Sequence, residues 1–369
     1  MQSDRPGFLA RSAFADLLIA LHRAGYRCVG PQLRDGAIVY DELYDVGGLP
    51  RGVREIQAPG AYRIEHSDGA RCFAWANGPQ ALKPFTFAPR EVLWRAARDA
   101  DGVIHFQDEE PAAGRPLAVI GVRACDLAAL RLQDQHFLEG AIRDAHYERR
   151  RRALLLVAVH CTHPAATCFC ASTGDGPRVS SGADLVLAEL DEGYLVEAAS
   201  ERGRTIAAQL PLTAASDAQH EAAAQETAAA AQQARGLPAR DLRDALLSRL
   251  EHPRWEEVAA RCLACGNCTA VCPTCFCHAE VEQAELSGAA STHTREWDSC
   301  FTKGHSYIHG LTIRADRRTR YRQWLTHKLA AWHDQYGRSG CVGCGRCISW
   351  CPVGIDITEE VAALCTPSP

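Results

Sequence analysis

One cysteine pattern occurs twice in this sequence, first as Cys262-Leu-Ala-Cys265-Gly-Asn-Cys268-Thr-Ala-Val-Cys272-Pro273 and again as Cys341-Val-Gly-Cys344-Gly-Arg-Cys347-Ile-Ser-Trp-Cys351-Pro352. In this spacing three thiolates hold one face of a 4Fe-4S cube, and the fourth, which precedes a proline, reaches the other cube. The repeat therefore predicts a two-cluster, ferredoxin-like domain with ligands crossed between the copies.

The crossed arrangement divides the eight cysteines into two sets of ligands. We expect the first cluster on Cys262, Cys265, Cys268 and Cys351, and the second on Cys341, Cys344, Cys347 and Cys272. Structural zinc is the alternative, but zinc ribbons favour two separated pairs of cysteines and do not need a proline after the fourth. Because cubes exchange single electrons, two adjacent cubes predict an electron-transfer protein rather than an enzyme with its own substrate.

The composition agrees with metal ligation. Cysteine accounts for 18 of 369 residues, in a chain long enough to bury a core without disulfides. The 40 Lys+Arg and 45 Asp+Glu give a net charge of -5, whereas a nucleic-acid-binding protein is expected to carry net positive charge. No apolar run reaches the roughly 18 residues of a spanning helix, and no signal peptide is evident. We therefore expect a cytoplasmic protein, whose thiols stay reduced and available to metal.

The first part of the chain has the pattern of an α/β (or α+β) domain. Short apolar runs between turn signals predict strands over residues 25–88, and a helix is expected from Pro89 through Arg98. Buried strands are predicted at Leu117–Val122 and 153–159 with a helix between them, a βαβ-like pattern. We expect three regions: an α/β domain at 1–200, a helical linker at 201–250, and a mainly helical dicluster ferredoxin-like domain at 251–369, including the insertion between the two cysteine copies.

Four further cysteines lie in the α/β part. Cys125 and Cys161 follow the two buried strands, whose carboxyl ends meet at one edge of an α/β sheet, and Cys168 and Cys170 lie on a nearby loop. Four thiols suffice for a third 4Fe-4S cluster. A zinc site completed by a neighbouring histidine, or buried thiols that merely pack, are the alternatives.

The remaining cysteines have weaker assignments. Cys275, Cys277 and Cys300 are candidate additional ligands that could bind a metal together with His278, although shielding of the clusters and packing is the favoured interpretation. The isolated cysteines are assigned to packing: Cys28, Cys72 and Cys365.

No catalytic residue is predicted in this chain. It has no Gly-x-Gly-x-x-Gly after a strand, no P-loop and no Gly-x-Ser-x-Gly elbow, so FAD and NAD(P)H are expected on a partner subunit. Arg123 and Asp126, which flank Cys125, are interpreted as a salt-bridged core pair. The basic, aromatic stretch 300–339 leaves a zinc-stabilised scaffold or nucleic-acid-binding protein as a remote alternative, although basic side chains also offset the charge of clusters.

Several stretches resemble a known family, the β (iron-sulfur) subunit of cytoplasmic NiFe sulfhydrogenase, which is similar throughout to the iron-sulfur electron-transfer subunit of anaerobic sulfite reductase. Besides both cysteine copies, the matching stretches are Gly25-Tyr-Arg-Cys-Val-Gly-Pro31, Asp35-Gly-Ala-Ile-Val-Tyr40, Gln57-Ala-Pro-Gly-Ala-Tyr-Arg63, Gly121-Val-Arg-Ala-Cys-Asp126, Thr167-Cys-Phe-Cys170 and Arg320-Tyr-Arg-Gln-Trp-Leu-Thr-His-Lys328. The resemblance covers nearly the whole chain, and only residues 213–235 match poorly.

The resemblance implies an electron-transfer role within a hetero-oligomer. In that family a flavin- and NAD(P)-binding γ-type subunit, with FAD and a 2Fe-2S cluster, exchanges hydride with NAD(P)H, and this type of chain passes the electrons on singly. The small and large NiFe hydrogenase subunits receive them in the sulfhydrogenase, and a sirohaem subunit receives them in the sulfite reductase. A hydrogenase complex is the favoured assignment, and an anaerobic sulfite reductase is the alternative. Neither a nucleic acid nor a membrane is expected as a partner.

Overall fold

The computed structural model describes residues 6–76, 78–80, 82–109 and 114–366. The strands in these ranges are β1 (Gly7–Ala10), β2 (Arg27–Arg34), β3 (Ala37–Glu42), β4 (Val53–Ala58), β5 (Ala61–His66), β6 (Arg90–Arg98), β7 (Ile104–Asp108), β8 (Leu117–Val122), β9 (Leu154–Val159), β10 (Leu185–Glu189), β11 (Gly193–Ala198), β12 (Thr213–Ala214), β13 (His278–Ala284), β14 (Ala290–Trp297), β15 (Tyr307–Ile308) and β16 (Leu311–Thr312). The α-helices are α1 (Phe14–Arg23), α2 (Lys83–Thr86), α3 (Ala124–Leu138), α4 (Ala145–Arg152), α5 (Cys170–Thr173), α6 (Glu201–Ala207), α7 (Asp217–Ala229), α8 (Leu242–Leu247), α9 (Arg254–Arg261), α10 (Asn267–Ala270), α11 (Arg317–Thr326), α12 (Trp332–Tyr336), α13 (Arg346–Ser349) and α14 (Ile357–Cys365).

A mixed eight-stranded sheet forms the centre of the α/β part. Its strand order is β12-β1-β11-β10-β9-β8-β2-β3, and the four strands β2, β8, β9 and β10 run parallel to one another. Along β9, Leu155 and Val157 pack in the same core as α1, whereas Leu154 and Leu156 pack in the core that contains α3. Helices therefore cover both faces, which explains why β8 and β9 are continuous apolar runs and why the sequence predicts both of them.

A second, antiparallel sheet corrects the expectation for two segments. Residues 90–98, expected as a helix after Pro89, form β6, and part of the insertion, expected as helical, forms the hairpin β13–β14. The order of this sheet is β13-β14-β6-β7. Long-range pairing with β14, where Trp94 stacks on His293 with ring centroids 4.5 Å apart, overrides the local helical spacing of Leu93 and Trp94.

The C-terminal region packs helices around an aromatic core. Trp255 of α9, Tyr321 and Trp324 of α11, and Val361 of α14 are buried together, and a π-helix (His327–Ala331) continues α11. The expectation of a mainly helical region is not confirmed, because the hairpins β13–β14 and β15–β16 also belong to it. Among the helices in the described ranges, none has the length and apolar character needed to cross a membrane.

A buried ion pair joins the second cysteine copy to the α/β part. The Arg346 Nη1 atom lies 2.7 Å from Asp126 Oδ1, and Nη2 lies 3.2 Å from Oδ2. Both side chains are 1% exposed. The expected pairing of Asp126 with Arg123 is therefore wrong: Arg123 instead donates to the carbonyl oxygens of Phe73 and Trp75, at 2.7 and 2.8 Å.

Candidate iron-sulfur centres

The four cysteines expected to hold the first cluster line a common cavity, which we call the first centre. Cys262, Cys265 and Cys268 of the first copy and Cys351 of the second line this cavity together with apolar side chains that include Phe301 and Trp324. Cys262 directly follows α9, Cys268 lies in α10, and Cys351 follows α13. The structure thus brings Cys351 of the second copy to three cysteines of the first copy.

The two cysteine copies form separate loops that have the same conformation. The backbone N–H of Ala264 donates to Cys262 Sγ at 3.3 Å, and the equivalent N–H of Gly343 donates to Cys341 Sγ at 3.5 Å. Both donors have positive φ, 54° and 63°. This conformation directs a backbone amide toward sulfur, and such hydrogen bonds help to set the potential of a bound cluster.

Cys272 lies with three thiols of the second copy, and these four form the second centre. Electrostatic interactions link Cys272 to each of Cys341, Cys344 and Cys347. Burial raises the pKa of Cys341 to about 12 and that of Cys347 well above its ordinary value. Binding of iron must therefore displace protons from these thiols.

A buried lysine from the basic stretch 300–339 lies beside the second centre. Lys328 is 5% exposed, and its Nζ donates to Thr274 Oγ1 at 2.8 Å and to Gly340 O at 3.4 Å. Burial alone would lower the pKa of Lys328, but neighbouring thiols, with Cys272 first and Cys275 next, hold it well above its ordinary value. A charge fixed in this position offsets the negative charge of thiolate ligands.

The four cysteines of the α/β part also converge and form the third centre. Cys125, Cys161, Cys168 and Cys170 line a common cavity. Cys125 lies in the first turn of α3 after β8, and Cys161 follows β9, so adjacent parallel strands deliver two thiols to one edge. Within the described ranges, no three His, Cys, Asp or Glu side chains form a group that could hold a single metal ion.

The third centre lies directly against the second. Cys344 also lines the third cavity, and its carbonyl oxygen is 3.9 Å from Cys168 Sγ. The backbone N–H of Phe169 donates to the carbonyl oxygen of Gly343 at 2.8 Å. Two loops that each carry proposed ligands are therefore in backbone contact, which places the second and third centres side by side.

We expect Gly343→Ala to disturb this contact. A Cβ at Gly343, whose φ is 63°, would lie 2.5 Å from the backbone nitrogen of Cys170. One of the loops must then move, at a cost of about 1–3 kcal/mol. The measurements are the thermal midpoint and the iron content of the anaerobic protein, both of which should fall. Gly102→Ala is the matched control, because Gly102 also has positive φ (81°) but has open space around it. Equal effects of the two variants would refute the close approach.

Among the described residues, the three candidate additional ligands do not form a metal-binding group with His278. Cys275 lies beside Cys272, whereas Cys277 and Cys300 are within hydrogen-bonding distance of each other. His278 Nδ1 is 3.1 Å from the carbonyl oxygen of Phe276. The three cysteines therefore lie in two places, Cys275 beside Cys272 of the second centre, and Cys277 beside Cys300.

Comparison with known proteins supports an iron-sulfur domain in the C-terminal part of the chain. The family model described as "4Fe-4S dicluster domain" matches residues 261–355, so this C-terminal segment has the sequence pattern of a 4Fe-4S dicluster domain. It is 29% identical over 287 residues to "Sulfhydrogenase 2 subunit beta" of Pyrococcus furiosus, a match that covers 76% of this chain and 82% of that protein. The predicted resemblance to sulfhydrogenase β subunits is thereby confirmed: the chain is similar to such a subunit and contains a 4Fe-4S dicluster domain. No solved structure matches it.

Proposed function

We propose that this chain relays single electrons in the cytoplasm between the small and large subunits of a NiFe hydrogenase and a flavin- and NAD(P)-binding γ-type subunit. The contact between the three thiol-lined centres carries the proposal. Cys168 of the third centre contacts Cys344 of the second. Cys272 of the first cysteine copy belongs to the second centre, and Cys351 of the second copy belongs to the first centre. A continuous path of this kind is what transfer of single electrons requires.

The donor sets fit three 4Fe-4S cubes. Each centre offers four thiols, the usual ligand set of such clusters, and each bound cube supplies one-electron chemistry. The buried cations Lys328 and Arg346 offset thiolate charge at the second centre, and Gln233 Nε2 donates to Cys170 Sγ at 3.3 Å in the third. We assign the ligands as Cys262, Cys265, Cys268 and Cys351; Cys341, Cys344, Cys347 and Cys272; and Cys125, Cys161, Cys168 and Cys170.

The first centre is the end of the path nearest the surface. Cys265 is exposed, and Leu263 beside it is 59% exposed, whereas Cys125, Cys168 and Cys170 are buried. Because an electron-transfer partner must approach a cluster closely, we assign one docking site to the Cys265 loop. FAD and NAD(P)H then belong to the partner that performs the hydride chemistry.

The experiment that tests the partners is anaerobic purification of the complex from its native host. We expect NiFe hydrogenase subunits and a flavin subunit to co-purify, and NAD(P)H to bleach the visible absorption of the complex. The name of the curated relative favours this hydrogenase branch. A sirohaem subunit in place of the NiFe subunits would instead assign the chain to anaerobic sulfite reductase.

Cys125→Ala tests the third cluster. Loss of this ligand is expected to lower the iron content from about twelve to about eight atoms per chain, since one cube of three is lost. Iron analysis of the anaerobic protein measures the change. Cys28→Ala is the control, because Cys28 is also buried in the α/β part, in the core under α1, and lies outside the three ligand sets. About twelve irons in the Cys125 variant would show that this thiol is not required.

A further inference from the structure

Two cysteines that the proposed clusters do not use lie against each other. Cys277 precedes β13 and Cys300 follows β14, so the hairpin brings their thiols within hydrogen-bonding distance. The backbone N–H of Asp298 donates to the carbonyl oxygen of Cys277 at 2.9 Å, which fixes the base of the hairpin. Both cysteines are half-buried. The pair is therefore held together by the sheet and is not closed off from solvent.

A histidine and an aspartate complete the arrangement. His305 forms a side-chain hydrogen bond with Cys277, and its Nδ1 atom is 2.6 Å from Asp298 Oδ2. The hydrogen bond to Cys277, together with the one to Asp298, raises the pKa of His305 to about 9. Hydrogen bonds from Cys300 and His305 lower the pKa of Cys277, while the same bond to Cys277 raises the pKa of Cys300. One nucleophilic thiolate beside one protonated thiol is the resting state of a reactive dithiol.

Cys277 also lines a surface pocket next to the first centre. The pocket has an empty volume of ≈ 560 Å³, and its walls include Cys265, Cys277, Lys83 and Trp297. Lys83 Nζ lies 3.8 Å from the Trp297 ring centroid and donates to the carbonyl oxygen of Ala270 at 3.1 Å. A small molecule in this pocket would contact both Cys277 and the loop of a proposed cluster ligand.

We propose that Cys277 and Cys300 form a redox-active dithiol that reduces small-molecule disulfides in this pocket. The inference rests on the proposed function, because the relay of this chain supplies the electrons that regenerate the dithiol. The two thiols, the His305–Asp298 pair and the adjoining pocket carry the inference together.

The reaction consists of two thiol–disulfide exchange steps, in which atoms and electrons balance. The Cys277 thiolate attacks one sulfur of the disulfide, the S–S bond breaks, and the leaving thiolate takes a proton from His305. Cys300 gives its proton to His305 and attacks Cys277 Sγ, which forms the Cys277–Cys300 disulfide and releases the second thiolate to be protonated in turn. The substrate is reduced to two thiols while the protein dithiol is oxidised. Two electrons, delivered singly from reduced clusters, and two protons restore the dithiol.

The test uses the full, cluster-loaded chain and glutathione disulfide as the probe. The anaerobic protein is mixed with the probe, released glutathione is measured, and differential alkylation with mass spectrometry locates protein disulfides. We expect about one Cys277–Cys300 disulfide per chain. The three other cysteines outside the ligand sets and away from the pocket serve as internal controls and should remain free thiols: Cys28, Cys72 and Cys365.

Variants separate this role from metal ligation. Cys277→Ser and Cys300→Ser should abolish the disulfide and the release of a second glutathione while they keep the wild-type iron content. His305→Gln should slow glutathione release by about 100-fold, because the proton donor is lost. Unchanged release in both serine variants would overturn the proposal, and so would loss of iron from either, since the thiols would then be ligands. A wild-type chain without iron would overturn the proposed function itself, and with it the electron supply.

Discussion

Cys347→Ala is expected to lower iron from about twelve to about eight atoms per chain and to stop reduction of the distal partner by NAD(P)H. Cys347 belongs to the second centre, which lies between the other two, and it also borders the cavity of the first. Loss of the middle cube breaks the path even if both outer cubes remain. Cys268→Ala should remove the first cube and interrupt the same path at its surface end.

Iron analysis and NAD(P)H-dependent bleaching of the assembled complex measure both effects. Cys365→Ala is the matched control, because Cys365 is buried in the same aromatic core but belongs to none of the three ligand sets. This control should retain its iron and its electron flow. Full electron flow through the Cys347 variant would contradict a relay through the second centre.

Arg346→Met is expected to destabilise the protein by about 3–5 kcal/mol, because the carboxylate of Asp126 would remain buried without its partner. The two side chains are each 1% exposed, and the shorter contact, between Nη1 and Oδ1, is 2.7 Å. Thermal unfolding of the anaerobic protein, followed by the visible absorption, should show a lowered midpoint. The second and third centres should lose iron together, because this pair joins their supporting elements.

Two further variants sharpen that test. Arg346→Met combined with Asp126→Leu should recover part of the stability, since no unpaired charge is then buried. Arg318→Met should cost under about 1 kcal/mol, because the contact of Arg318 with Glu251 is 3.4 Å long and lies at the surface. Equal midpoints for the Arg346 and Arg318 variants would show that the buried pair does not hold the two parts together.

The grouping of the cysteines could be predicted because it follows from local rules. The spacing within each copy fixes the loop around Cys262 and its equivalent around Cys341, and the crossed fourth ligand is a property of that spacing. Cys125 and Cys161 could be placed together because both follow apolar strands of a βαβ-like pattern. In each case a short stretch of sequence determines where the thiol lies.

The features that could not be predicted depend on residues far apart in the chain. Residues 90–98 become a strand because β14 pairs with them, and no local pattern contains that partner. Asp126 pairs with Arg346 rather than with the neighbouring Arg123, because packing of the second cysteine copy against α3 brings Arg346 to it. The contact between Cys277 and Cys300 likewise arises only when the β13–β14 hairpin forms.

The most direct measurement is metal and sulfide analysis of the anaerobically purified chain, combined with low-temperature EPR after reduction with dithionite. Three cubes predict about twelve irons and about twelve acid-labile sulfides per chain, little zinc, and signals from reduced 4Fe-4S clusters. A colourless protein that contains zinc without iron and gives no EPR signal would contradict the account.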